Sequence, residues 1–117
     1  MMIKVEAIVR EEKFEDVKAA LSAIEVNGLT VSQVMGCGTQ RGYTEIVRGM
    51  QVDIQMRPKI KFEIVVSSEE WEQKTIEAIR KAAYTGGPGD GKIFSYGIRP
   101  GLKVRTGESG HDAIQAR

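Results

Sequence analysis

Apolar residues recur along the chain with two different spacings, one typical of strands and one typical of a helix. Apolar residues occupy every second position over residues 3–9 and 60–66, which predicts two strands that each bury one face. After the first strand, apolar side chains recur at the three- and four-residue spacing of an amphipathic helix, namely Phe14, Val17, Leu21 and Ile24. Asn27-Gly28 is expected to end this helix, and Leu29 to Gly36 is expected to form the next strand.

A second helix and further strands follow residue 66. Ser67 and Glu70 have the spacing of a capping box, which places the start of a helix there. That helix carries an apolar face of Trp71, Thr75, Ala78, Ile79 and Ala82, and it is expected to end near Thr85-Gly86. Residues 93–98 read as a short strand, and residues 102–104 as a weaker one.

The resulting order, βαββαβ, predicts an α+β fold of the ferredoxin-like type, with two helices on one face of an antiparallel sheet. A chain of 117 residues fits one such domain, spanning 1–117. The second face of the sheet needs a cover, which three packed copies would provide, although periodicity does not distinguish three copies from two. Fold alone does not identify the function, because this architecture serves enzymes, metal carriers and RNA binders.

Residues 37–57 interrupt the regular pattern. The segment contains three glycines and many polar residues and shows no sustained period, which predicts a long functional loop. Its first residue, Cys37, is the one cysteine of the chain, so we expect a free thiol in a loop.

Charge and hydropathy exclude several kinds of partner. Seventeen basic and sixteen acidic residues leave a net charge of +1, which argues against nonspecific nucleic-acid binding and gives no reason to invoke an anionic membrane. No segment approaches the roughly 20 apolar residues that span a bilayer. The sequence therefore predicts a cytoplasmic protein that meets a membrane only through a partner.

The segment from Thr85 to Phe94 carries the strongest chemical signal. It places four glycines and Lys92 between a helix and a strand, so that backbone N–H groups and one ammonium can approach an anion. The spacing differs from that of a P-loop, and the glycines precede a strand and not a helix. A flexible turn explains the same composition, because Gly-Pro-Gly and Asp-Gly are ordinary turn signals.

Three motifs together resemble those of the P-II nitrogen regulatory proteins. Thr85-Gly-x-x-Gly-Asp-Gly-Lys-Ile-Phe94 is similar to the B-loop of that family, and Arg105-Thr-Gly-Glu108 is similar to its C-loop signature. Gly28-Leu-Thr-Val-Ser-x-Val-x-Gly-x-Gly-x-Gln40 resembles the segment that enters its T-loop. The resemblance implies a homotrimeric, non-enzymatic signal protein that binds ATP or ADP between subunits. It sets the T-loop at about 37–57, the B-loop at about 85–92 and the C-loop at about 101–108.

The resemblance also implies a nucleotide site. The matching positions are Thr30, Gly36, Cys37, Gly38, Thr39 and Gln40 toward the base and ribose, with Gly89, Asp90, Gly91, Lys92, Lys103 and Arg105 toward the phosphates. A guanidinium such as that of Arg105 suits phosphate because its planar fork can form two parallel hydrogen bonds. Lys103 and Thr39 stand where relatives often have arginine. Lys103 keeps the charge but loses the fork, which weakens the expected grip on phosphate, and Thr39 leaves the preference between ATP and ADP open.

A ketoacid site follows from the same resemblance. Gln40 matches a glutamine that joins Mg²⁺ with ATP and 2-oxoglutarate, and oxygen ligands suit that hard ion. Lys59 and Arg10 match basic residues around the ketoacid. The alternative for Lys59 is an exposed lysine at the start of a strand. The alternative for Arg10 is a surface ion pair with Glu11 or Glu12.

The T-loop departs from the family pattern at its modification site. Val52 occupies the position of the tyrosine that many members uridylylate, and Met50 that of a serine phosphorylated in some cyanobacterial relatives. We therefore expect the T-loop to signal only through the conformation that the bound ligands impose on it. Arg48 resembles an arginine with which some members contact an ammonium transporter, so target proteins of nitrogen metabolism are the expected partners.

Two other classes of function stay open from the sequence. The one histidine, His111, lies in a polar tail without a nucleophile and base nearby in sequence, so catalysis is not indicated, and Glu63 reads as a structural or ligand-contact group. A structural or metal-handling trimer of the same architecture is disfavoured by the scarcity of Cys and His. A second alternative, closer to the main interpretation, is a P-II-like nucleotide sensor for carbon or bicarbonate metabolism. The presence of Gln40, Lys59 and Arg105 favours the nitrogen-sensing class over it.

Overall fold

The computed structural model describes residues 2–38, 45–47, 50–52 and 55–114, of which 45–47, 50–52 and 55 are described by their backbone only. The strands are β1 (Met2–Arg10), β2 (Leu29–Gly38), β3 (Glu45–Val47), β4 (Met50–Val52), β5 (Gln55–Val66) and β6 (Lys92–Ile98). The helices are α1 (Phe14–Ala23) and α2 (Glu69–Ala83), with 3₁₀ turns at Glu11–Lys13 and Gly110–Ile114. The βαββαβ prediction is confirmed, with β3 and β4 added as a separate small hairpin.

The main sheet has the strand order β2-β5-β1-β6 and is antiparallel throughout. Its central strands alternate as predicted, because Val5, Ala7 and Val9 on β1 are buried while the residues between them are half-exposed. Phe62 on β5 is fully buried, and its ring lies 5.8 Å from that of Phe14. The two helices cover this one face only, so the core is a single layer between helices and sheet.

Both helix boundaries differ from the sequence prediction. The N-cap of α2 is Ser68 and not Ser67, because the Ser68 hydroxyl oxygen accepts a hydrogen bond of 3.2 Å from Trp71 N–H. Helix α1 ends at Ala23, before Asn27-Gly28, where Glu25 adopts a left-handed φ of 65°. A non-glycine residue in that conformation leaves no glycine signal in the sequence.

The predicted long loop is more regular than its composition suggests. Strands β2 and β5 continue four residue pairs beyond the last pair between β1 and β5, as a two-stranded ribbon from Met35↔Pro58 to Gly38↔Gln55. Cys37 is therefore an exposed free thiol on a strand, and its placement in a loop was wrong. The predicted strand at 102–104 is also wrong, since this segment forms one isolated bridge, Leu102↔Ser109.

Thr75 is the exception in the core. Its side chain is fully buried on α2, and its Oγ1 has no hydrogen-bond partner among the described residues. We expect Thr75→Val, which has the same shape without the hydroxyl, to raise the free energy of unfolding by about 1 kcal/mol. Urea denaturation measures this, with Thr75→Ser, which keeps the hydroxyl and loses the methyl group, as the destabilised control. A less stable Val variant would show that the hydroxyl has a partner in solution.

Candidate functional site

The loop between α2 and β6 is organised around the Asp90 carboxylate. Its Oδ2 accepts hydrogen bonds from Thr85 N–H at 2.8 Å and Gly86 N–H at 2.9 Å, and its Oδ1 accepts one from the Thr85 hydroxyl. Arg10 Nε donates to the same Oδ1 at 3.1 Å. The hydrogen bonds from Thr85, followed by those from Gly86 and Arg10, hold the pKa of Asp90 well below its usual range. The carboxylate therefore stays ionised and fixes both ends of the loop.

Gly91 joins this loop to the sheet at a position that only glycine fits. Its φ is +101°, and a Cβ placed on it would lie 1.9 Å from the carbonyl oxygen of Ile8. Lys92 then starts β6 opposite Ile8 on β1. Lys92 directly follows the loop and is exposed, so its side chain is accessible to a ligand.

Two cations from the neighbouring strand ends meet the loop. Arg10 and Lys59 are direct partners in the β1–β5 register, which sets them side by side. Lys59 Nζ donates a hydrogen bond of 2.6 Å to the carbonyl oxygen of Gly89. The Lys59 stem passes over Gly36, where an added Cβ would lie 3.1 Å from Lys59 Cγ. The structure thus brings together Arg10, Gly36, Lys59, Gly89, Asp90, Gly91 and Lys92 from four separate parts of the sequence.

The C-loop, which carries Lys103 and Arg105, follows the far end of β6 and is held by hydrogen bonds within the loop. Lys103 N–H donates to the Glu108 carbonyl at 2.7 Å, and Gly107 N–H donates to the Lys103 carbonyl at 2.8 Å. Arg105 is exposed at the turn of this loop. A cavity of about 250 Å³ lies at the base of the same loop, lined by Met2, Ser67, Ile98, Pro100, Gly110 and His111. Met2 begins β1 and Arg10 ends it, so this cavity and the glycine loop lie at opposite ends of the sheet.

The remaining predicted site residues are only partly described. Thr30 is exposed on β2 opposite Glu63, six residues along the strand from Gly36. Residues Thr39, Gln40 and Arg48 lie outside the described residues. In the part of the chain that is described, no three His, Cys, Asp or Glu side chains lie close enough together to hold a metal ion.

The sheet face away from the helices carries a charge network that the sequence did not single out. Glu63 is paired with Lys4 at 2.9 Å and with Lys61 at 3.2 Å, and Tyr96 donates a hydrogen bond of 2.6 Å to Glu6. The hydrogen bond to Lys4 lowers the pKa of Glu63, and that to Glu6 raises the pKa of Tyr96. Glu63 is thus a structural ion-pair member, as its alternation with apolar residues indicated. The sequence signal that could have predicted this network is the alternation of charged residues, such as Lys61 and Glu63, with the buried apolar residues of β5.

Comparison with known proteins identifies the family. The family described as Nitrogen regulatory protein P-II matches residues 2–108 of the chain. The chain belongs to the P-II family. A nitrogen regulatory protein P-II from Pasteurella multocida is 46% identical over 97% of this chain and 100% of its own length. A nitrogen regulatory protein P-II 1 from Methanothermobacter thermautotrophicus is 50% identical over 97% of both chains.

A solved structure extends the P-II comparison to the fold. The GlnK–ATP complex of B. subtilis superposes with a TM-score of 0.80 at 42% identity and covers 96% of each chain. As a P-II protein, the chain is a regulatory signal transducer and not an enzyme. None of the helices within the described ranges is long and apolar enough to cross a membrane.

Proposed function

We propose that this P-II protein binds ATP or ADP at the glycine loop, and 2-oxoglutarate together with Mg²⁺ and ATP, and regulates nitrogen metabolism from the cytoplasm. Residues 37–57 would report the ligand state to target proteins such as an ammonium transporter. The observation that carries the nucleotide part is the loop itself, in which the carboxylate is turned inward and Lys92 outward. The ATP named in the B. subtilis GlnK complex supports it.

The glycines of the loop suit a phosphate chain because a backbone without side chains can approach a ligand closely. A Cβ on Gly87 or Gly89 would lie 2.9 Å from Arg10 Nη2, so the guanidinium would have to shift if either residue carried a side chain. The N–H groups of Thr85, Gly86, Gly87 and Asp90 are bonded within the loop, so in the proposal the phosphates meet the remaining N–H groups of the turn together with Lys92. Because Lys92 supplies a point charge and not a fork, it accommodates the phosphates of ATP and ADP alike.

Lys92 and Arg105, which are both expected to bind the phosphates of one nucleotide, lie far apart within a single chain. Lys92 and Ile98 are the two ends of β6, which spans roughly 20 Å, and Arg105 belongs to the loop beyond Ile98. A phosphate held by both Lys92 and Arg105 is therefore most simply bound between two subunits. The open sheet face, where Phe94 is 53% and Tyr96 44% exposed, supplies a surface for assembly into the proposed homotrimer.

Lys59 supports the ketoacid part of the proposal. Its ammonium lies at the loop and donates to a neutral acceptor, the carbonyl oxygen of Gly89, so a carboxylate can replace that acceptor with a charged one. In the proposal, the side-chain oxygen of Gln40 would help to hold Mg²⁺, an ion that prefers oxygen ligands and would offset the negative charge of the bound ligands. The chain's own contribution is the lysine that orients the ketoacid against the loop.

Changing Lys92 to Ala is expected to weaken ATP and ADP binding alike by about 1–3 kcal/mol, because one charged hydrogen bond to phosphate is lost. Isothermal titration measures both affinities. Lys81→Ala is the matched control, since Lys81 is exposed on α2 and paired with Glu77 at 3.0 Å. Equal affinities in wild type and Lys92→Ala would remove Lys92 from the site.

The assembly prediction is a particle of three chains, each of 12.9 kDa, measured by light scattering. Phe94→Asp should dissociate it, because the carboxylate would be placed on the open face opposite Glu6. Gln73→Asp makes a similar change on α2, on the opposite side of the sheet, and should leave the trimer intact. A stable wild-type monomer that binds ATP tightly would contradict shared sites.

A further inference from the structure

The Asp90 side chain is fully engaged inside the glycine loop. Both of its oxygens accept hydrogen bonds, from Thr85, Gly86 and Arg10. A nucleotide phosphate offers acceptors and negative charge, so an ionised carboxylate can neither donate to it nor attract it. The sequence motif groups Asp90 with residues that touch phosphate, whereas its contacts are those of a group that holds the loop.

Arg10 forms the floor of the same loop. Its guanidinium binds Asp90 through Nε, and its Nη2 faces the two positions, Gly87 and Gly89, where a Cβ would approach to 2.9 Å. Its other carboxylate neighbour, Glu12, is more distant at 3.9 Å and exposed. Since Arg10 is also the last residue of β1, it fixes the loop to the central sheet.

We propose that Arg10 and Asp90 are positioning residues for nucleotide binding, which hold the loop from Thr85 to Gly91 in its phosphate-accepting shape without touching the ligand. The inference rests on the proposed function, because it concerns the same loop. It assigns Arg10 to the nucleotide and not to a direct contact with the ketoacid. The ketoacid carboxylate is then left to Lys59, whose ammonium is bound to a neutral acceptor.

The test measures ATP and ADP affinity without ketoacid in Arg10→Gln, Asp90→Asn and the double variant. Each single change should weaken both nucleotides about 10-fold or more, the size of a lost charged hydrogen bond. The double variant should be no weaker than the weaker single one, because both changes remove the same contact. Glu12→Gln, which removes the distant neighbour of Arg10, should leave affinity unchanged.

Opposite outcomes overturn the proposal. If Arg10→Gln binds ATP normally and loses only 2-oxoglutarate, Arg10 is a ketoacid ligand. If Asp90→Asn binds ATP more tightly, its charge faces the phosphates. Additive losses in the double variant would mean that the two residues act independently.

A second measurement separates this inference from the proposed function. In the ligand-free protein, the amides of Thr85 and Gly86 should exchange with solvent faster in Asp90→Asn and Arg10→Gln than in wild type, because their acceptor loses its charge in the first variant and its Arg10 partner in the second. Unchanged exchange would refute the positioning role even if nucleotide binds. If wild type binds no nucleotide, the proposed function fails, and the exchange rates still decide whether the pair holds the loop.

A milder variant guards against misfolding of the charge variants. Thr85→Val removes a hydroxyl that donates to Asp90 and accepts from Gly87 N–H, at an exposed position, and it leaves the Arg10–Asp90 pair in place. It should lower nucleotide affinity less than Asp90→Asn does while its thermal unfolding stays near wild type. Unaltered affinity in Thr85→Val together with unaltered amide exchange would count against the proposal.

Discussion

Gly91→Ala is expected to destabilise the protein by on the order of 3 kcal/mol and to abolish nucleotide binding. Two causes combine. The backbone at Gly91 has φ +101°, which L side chains rarely adopt, and the new Cβ would lie 1.9 Å from the Ile8 carbonyl oxygen and 3.1 Å from Val9 Cα. These neighbours are main-chain atoms of a central strand, so they cannot rotate away as a side chain could.

The damage should spread from the loop into the sheet. Relief of the contact requires the chain to move away from β1 just where Lys92 pairs with Ile8 and Ile93 with Ala7. The start of β6 would therefore detach, and with it the loop that Asp90 organises. Both stability and ligand binding depend on the same glycine.

Urea denaturation at fixed protein concentration measures the effect, since an oligomer's apparent stability depends on concentration. Gly28→Ala is the matched control, because a Cβ added at Gly28 would meet no atom within 4 Å and the backbone there does not have a positive φ. Its free energy of unfolding should stay within about 0.5 kcal/mol of wild type. Similar stability of Gly91→Ala and Gly28→Ala would mean that the loop can shift without loss.

The sheet and helices were predictable because their apolar periods are long and agree with burial. Val5, Val9 and Phe62 lie in the core where the alternation placed them. Apart from the helix ends, failures occurred where backbone pairing, and not side-chain burial, decides the structure. The β2–β5 ribbon around Cys37 and Met56 has no helix beneath it, so pairing there leaves no hydrophobic alternation to read.

The site was predictable as a motif but not as an arrangement. The glycines and Lys92 are adjacent in sequence, which made the phosphate loop visible. Arg10 and Asp90 are 80 residues apart, and their contact follows from the register of β1 against β6. Lys59 reaches Gly89 for the same reason, through the pairing of β5 with β1. The pairing register of two strands cannot be predicted from local sequence. The resemblance to P-II proteins indicated which residues matter but not which of them are in contact.

Lys59→Met is expected to weaken 2-oxoglutarate binding in the presence of Mg²⁺ and ATP by about 3 kcal/mol, because a bound carboxylate loses its charged partner. Methionine keeps the unbranched stem that passes over Gly36 and removes only the ammonium. ATP alone should bind nearly as in wild type, apart from the loss of the hydrogen bond to Gly89 O. The variant therefore separates ketoacid recognition from the nucleotide loop.

The same variant tests the coupling between the two ligands. If 2-oxoglutarate requires Mg²⁺ and ATP, then it must tighten their binding by an equal factor, because linkage between binding free energies is reciprocal. Titrations of each ligand in the presence and absence of the other should give this factor in wild type and a value near one in Lys59→Met. Lys13→Met is the control, since Lys13 is similarly half-buried and its ammonium pairs with Asp16 at 3.6 Å and not with Gly89. Full coupling in Lys59→Met would show that the ketoacid, if bound, is held elsewhere than at the Gly89 end of the loop.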